Sequence, residues 1–214
     1  MQEQHVIKGE QEQSVSKLER ETQINRNLIY SEKYVRAIQS LGEGKDCTRT
    51  IVELSRMMLE HRNGSLYEDL YFVDSLDNKY LAQTMYSDKT QSVEPTKNMQ
   101  RMLCNNPNII GIHNHPKSSL PSLDDIHVCE ERNYKYGIVL CHNGSIYKYK
   151  NTGTIIDINI LGAYSIYEKE EYETLKNMQT YSDILISHKE HLEELIFNLN
   201  CAGVEFEEVL YNER

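Results

Sequence analysis

Residues 108–116 read NIIGIHNHP, and this short run constrains the chain more than any other. Isoleucines at 109, 110 and 112 anchor a strand in a core, and Pro116, which lacks an amide hydrogen, ends it. Side chains on a strand alternate between faces. His113 and His115 therefore project side by side at the strand's exit, and Asn114 points away. Two imidazoles presented in this way are a pair of ligands for one metal ion. Taken alone, a His-x-His pair is a common coincidence, so the residues that follow decide how it is read.

Lys117–Pro121 form a short Ser/Pro loop that turns the chain back, and Ser122-Leu-Asp-Asp125 opens a helix. Asp125, in the first turn, is the candidate third ligand, with Asp124 as the frame-shifted alternative. Two histidines and one carboxylate leave a fourth tetrahedral position open, as in catalytic rather than structural zinc sites. The same four residues also read as a helix N-cap with an acidic first turn. Both readings of Ser122 and Asp125 stand at this point.

The surrounding chain mixes periods. Ile24, Leu28, Val35, Ile38 and Leu41 recur at helical spacing, and Gly42 and Gly44 stop that helix. A second helix runs from about Thr48 to Arg62, with His61 and Arg62 at its negative end and Asn63-Gly64 as its left-handed cap. SLYEDLYFVDS and KYLAQTMY then read as strands, and Pro95 opens a helix that reaches about Cys104. A helix follows from Ser122 to about Asn133. GIVLCH and SIYKYK, joined by Asn143-Gly144, form a hairpin. From residue 153 the pattern reads as mostly helical, including an amphipathic stretch over Ile184–Leu199 and acidic clusters at Glu168–Glu173 and Glu205–Glu208. The expectation is an α+β fold of three-layer α/β/α type. Residues 1–45 are a helical extension, 46–152 the core domain, and 153–214 a second helical extension, with the two flanks packing on the core or serving as docking surfaces for a protein partner.

A net charge of −10 argues against broad nucleic-acid binding, which relies on clustered Lys and Arg. No apolar run approaches a membrane span, and the polar N-terminus MQEQHVIKGEQEQ lacks the apolar centre of a signal peptide. Five scattered cysteines with no CxxC pair fit reduced thiols used in packing, Cys129 and Cys141 among them. The expectation from these features is a cytoplasmic protein. His188 and His191 read as exposed on a charged helix, His127 as a helix-surface residue, and His142 has no identifiable partner.

The run HNHP, a short loop, then SxxD resembles the JAMM signature of the JAB/MPN metalloprotease family, over about residues 46–150. The HNHP form is closer to the RadC-like and phage-associated bacterial branch than to the eukaryotic deubiquitinases. The resemblance implies a JAB/MPN, cytidine deaminase-like core and a zinc hydrolase acting on peptide or isopeptide bonds. Its substrate would be a protein or peptide, ubiquitin-like proteins included. It implies His113, His115 and Asp125 as zinc ligands, and Ser122 as a catalytic residue that positions the water or stabilises the oxyanion. The family's catalytic Glu lies upstream, at the start of the strand after the long first helix, which selects Glu68 as general base. Asp69 faces the other way on that strand, Glu60 lies on a helix face, and Glu94 marks a helix start. Two other readings accompany this one. A RadC-like role in DNA metabolism follows from the HNHP form but is opposed by the acidic balance, and a non-catalytic JAB/MPN scaffold would use the fold for interaction alone.

Overall fold

The structure is a computed structural model that describes residues 22–76, 79–84, 95–103, 106–151, 203–210 and 212. The amphipathic stretch at 184–199, with His188 and His191, and also Glu94 and Glu168–Glu173, lie outside them. Among the described residues three helices come first: α1 (Arg26–Ile29), α2 (Glu32–Gln39) and α3 (Lys45–Arg62). Strands β1 (Leu70–Asp74) and β2 (Lys79–Thr84) follow, then α4 (Lys97–Leu103), β3 (Ile109–His115) and α5 (Leu123–Glu131). The hairpin β4 (Tyr136–Cys141) and β5 (Ile146–Asn151) precedes the last strand, β6 (Val204–Leu210). The class is mixed α and β.

One sheet of six strands runs in the order β2-β1-β3-β4-β5-β6. Among the described residues only β3 and β4 pair in parallel; the other four neighbouring pairs are antiparallel. Every residue of β3 is buried, because the sheet carries a packed layer on each face. Ile110 and Ile112 point into a core with α1, α2 and α3, built on Ile29, Tyr34, Ile38, Ile51 and Met58. Ile109, on the opposite face, joins Leu103 of α4 and Ile126 and Cys129 of α5. The helices of residues 24–41 thus share a core with the sheet.

Four local expectations need correcting. The single helix over Ile24–Leu41 is two, because Ser31 adopts an extended backbone and its hydroxyl caps the Tyr34 amide, which restarts the helix. Pro95 precedes α4 rather than opening it, since the Thr96 hydroxyl accepts from the Met99 amide and takes the cap position. Glu68 lies just ahead of β1 rather than within it. The end of the expected C-terminal helical extension is a strand. In β6, Val204 and Phe206 are buried while Glu205 and Glu207 are exposed, a period of two that follows the left-handed Gly203. The pattern over 153–214 reads as mostly helical; here Glu205 and Glu207 instead share the exposed face of a strand at the end of the sheet, and Glu207 pairs there with Lys148 of β5.

Candidate metal centre

β3 delivers His113 and His115 to the face of the sheet that carries α5. Their Nε2 atoms lie 3.1 Å apart, and both rings are buried. α5 brings the carboxylate. Asp125 Oδ1 lies 3.2 Å from His113 Nε2, and Oδ2 lies 3.6 Å from His115 Nε2. Ligand atoms of the three residues fall within 4.8 Å of one another, and among the described residues no other His, Cys, Asp or Glu cluster of three does so.

Asp125 serves the helix and the site together. Its Oδ2 accepts from the Ser122 amide and hydroxyl, both at 2.7 Å, and the Asp125 amide donates back to Ser122 Oγ at 3.2 Å. This is a reciprocal capping box. It satisfies Oδ2 and turns Oδ1 toward His113. The Ser122 hydroxyl hydrogen is thereby directed at Asp125, so in this geometry Ser122 positions the carboxylate rather than offering a donor to an oxyanion.

His115 is oriented from behind. Its Nδ1 sits 3.0 Å from the Ser119 carbonyl oxygen. A carbonyl only accepts, so Nδ1 carries the hydrogen and Nε2 presents its lone pair to the site, the arrangement usual for a metal-bound histidine. The Ser119 carbonyl is aimed by the tight loop after β3, where Ser118 adopts a left-handed conformation (φ 60°) and its amide donates to the His115 carbonyl.

The donor set fits a zinc ion. Ligands on a tetrahedron with bonds of about 2.0–2.1 Å lie roughly 3.3 Å from each other, close to the three separations above. Two imidazole nitrogens and a carboxylate at such distances repel unless a proton or a cation lies among them. The electrostatics agree. Burial pushes the Asp125 carboxyl up, yet the two imidazoles outweigh it and hold Asp125 far below the usual carboxylate range. Burial lowers His115, but the hydrogen bond and charge of Asp125, with Glu68 and the Ser119 carbonyl, raise it on balance. Positive charge is favoured at this point.

The three groups line a cleft of about 430 Å³ that also contains Glu68, Ser122, His127, Arg132, Tyr134 and Tyr149. Glu68 shares the sheet face of Leu70 and Phe72, which pack with α4 and α5. Burial pushes its carboxyl up, opposed by the charges of His115 and His113. Asp69 turns the other way, as expected, and is fully buried against α3, where Arg62 Nε donates to it at 2.8 Å and His61 Nδ1 lies 2.6 Å away. Glu60 sits on the α3 surface in an ion pair with Arg26. Asp124 lines the cleft but is not part of the ligand cluster. His127 is exposed on α5.

The sequence reading missed the cleft floor and the supports behind it. Gly111 and Gly137 are register partners on β3 and β4. A Cβ at Gly137 would lie 2.1 Å from Tyr149 Cζ, and one at Gly111 would lie 3.4 Å from the Tyr134 ring, so the glycine pair lets two tyrosines lie flat on the sheet. His142, for which no partner was identifiable, bonds Asn114 and the Thr22 carbonyl. Only a glycine pair in strands that prove to be neighbours could have signalled the floor.

Comparison of the chain with protein-family models, with curated proteins and with solved structures finds no match in any of the three. Among the described residues, no helix is long and apolar enough to cross a membrane.

Proposed function

We propose that the chain is a zinc-dependent hydrolase of the JAMM type that cleaves a peptide or isopeptide bond. The observation that carries this reading is the convergence of His113, His115 and Asp125 at tetrahedral spacing in a cleft that Glu68 also faces. The HNHP–SxxD motif supports the JAB/MPN assignment, as does a sheet with helices on both faces whose β3 and α5 carry the ligands.

A zinc ion held there supplies Lewis-acid polarisation of a carbonyl and lowers the pKa of a water. The chain's own groups have separable tasks. His115 Nε2 and Asp125 Oδ1 are held in place by the Ser119 carbonyl and the Ser122 cap. Glu68, half-buried with a raised pKa, would take the water's proton and return it to the leaving amine. Tyr134 and Tyr149 would line the cleft floor beneath the substrate. The substrate is a protein or peptide segment narrow enough to enter this cleft.

Elemental analysis of the purified full chain should find one zinc per chain, lost in the His113→Ala/His115→Ala double variant. A panel of peptide and isopeptide substrates should include one that is cleaved by the wild type, and not by Glu68→Gln, which keeps its zinc. A chain that takes up no zinc after reconstitution would overturn the proposal and leave the fold as an interaction scaffold.

A further inference from the structure

Among the described residues no hydrogen bond holds the Glu68 carboxylate, so its placement depends on its backbone. The β1–β3 ladder stops at Leu70 paired with His113. Continuing that antiparallel register would set Asp69 opposite Asn114 and Glu68 opposite His115. Backbone pairing does not continue there; the Asn114 side chain takes its place. Asn114 Oδ1 accepts from the Asp69 amide at 2.8 Å, and Nδ2 donates to the Tyr67 carbonyl at 3.2 Å. The peptide groups on both sides of Glu68 are therefore bonded to the one residue between the two histidines.

The orientation of this amide is fixed from below. His142 Nδ1 lies 2.6 Å from the Thr22 carbonyl, which makes Nδ1 the hydrogen-bearing nitrogen and Nε2 the acceptor. Asn114 Nδ2 lies 3.2 Å from that Nε2. A flipped amide would set its oxygen against an acceptor ring nitrogen and against the Tyr67 carbonyl, and its NH₂ against the Asp69 N–H. Asn114 and His142 are both fully buried, so water offers no substitute partner.

We propose that Asn114 is the positioning residue for Glu68: its side-chain amide splices the segment 67–69 onto β3 and sets the carboxylate opposite His115. This rests on the hydrolase reading above. Asn114 points away from the ligand cluster, so it acts through Glu68 and not on the metal.

Two variants test it on the full chain. Asn114→Ser removes the splice, and Asn114→Asp keeps its shape while setting an oxygen against the Tyr67 carbonyl. The first readouts need no substrate. Zinc content should stay at one per chain in both variants, and hydrogen exchange at the Asp69 amide should quicken by about tenfold or more. With a cleavable peptide, kcat should fall by about tenfold or more at unchanged KM. Glu68→Gln/Asn114→Ser should be no slower than Glu68→Gln alone, because both changes act on one group. Unchanged exchange at Asp69 would overturn the proposal, as would zinc loss in both variants or a double variant slowed by the product of the two single effects. Should Asn114→Ser not fold, the Asp variant decides by the same readouts. A wild type without zinc would instead sink the hydrolase reading, while exchange at Asp69 would still report whether Asn114 fixes the segment.

Discussion

Asp125 shows how one side chain satisfies two readings of a motif. As a capping residue it uses Oδ2, and as a candidate ligand it offers Oδ1, so the local and the functional explanation of SxxD do not compete. Its charge sets a pH dependence of the metal-free protein. His115 has a folded pKa above its ordinary 6.5, so its pairing with Asp125 stabilises the fold fully below that pH and is lost as pH rises through the folded value. Asp125 is depressed below its ordinary 3.8, so its contribution is present above that pH and is lost as pH falls below it. The melting temperature of metal-free protein should therefore be highest between these two limits and decline on either side. Asp125→Asn should flatten both declines; an unchanged profile would show that the pairing contributes nothing. Zinc competes with the same proton, so zinc affinity should rise with pH.

At the scale of elements, α3 and the segment before β1 are locked by a buried ion pair. The helix was legible from its apolar spacing, and its end from Asn63-Gly64, where Gly64 does take the left-handed conformation (φ 73°). The Arg62–Asp69 pair was not legible, because His61 and Arg62 read equally well as cations at a helix C-terminus. With Asp69 fully buried, Asp69→Ala leaves Arg62, itself almost wholly buried, without its carboxylate. The cost should be about 3–5 kcal/mol, measured by urea unfolding of the metal-free chain. A loss below about 1 kcal/mol, the range of an exposed pair, would show that the bridge is solvated. Element type was hardest to read in β6, where VEFEEV carries a two-residue alternation at the end of a segment whose pattern reads as mostly helical.

At the scale of the molecule, the site depends on parts distant in sequence. Segment 67–69 supplies Glu68, β3 the histidines, α5 the carboxylate, and β5 the Tyr149 floor. A zinc ion held by groups gathered from β3 and α5 would bind the folded state and not the unfolded chain. Zinc at one hundred times its dissociation constant should thus stabilise the protein by about 2.7 kcal/mol, seen as a rise in melting temperature. The rise should vanish in His113→Ala/His115→Ala. A rise that persists there would place the zinc elsewhere.

The sequence by itself singled out His113, His115 and Asp125 as a candidate ligand set, because a strand's two-residue period and a capping motif a short loop away are local facts. It also determined that His113 and His115 share a face and that Asp69 turns from the cleft. Tertiary structure decided what no local period encodes: that residues 24–41 share the core of the sheet, that Val204–Leu210 closes its edge, and that Gly111 lies beside Gly137. It also decided that Asn114 holds the backbone on both sides of Glu68. Contacts of this kind join residues dozens of positions apart, and their energies depend on burial that exists only once the sheet has assembled.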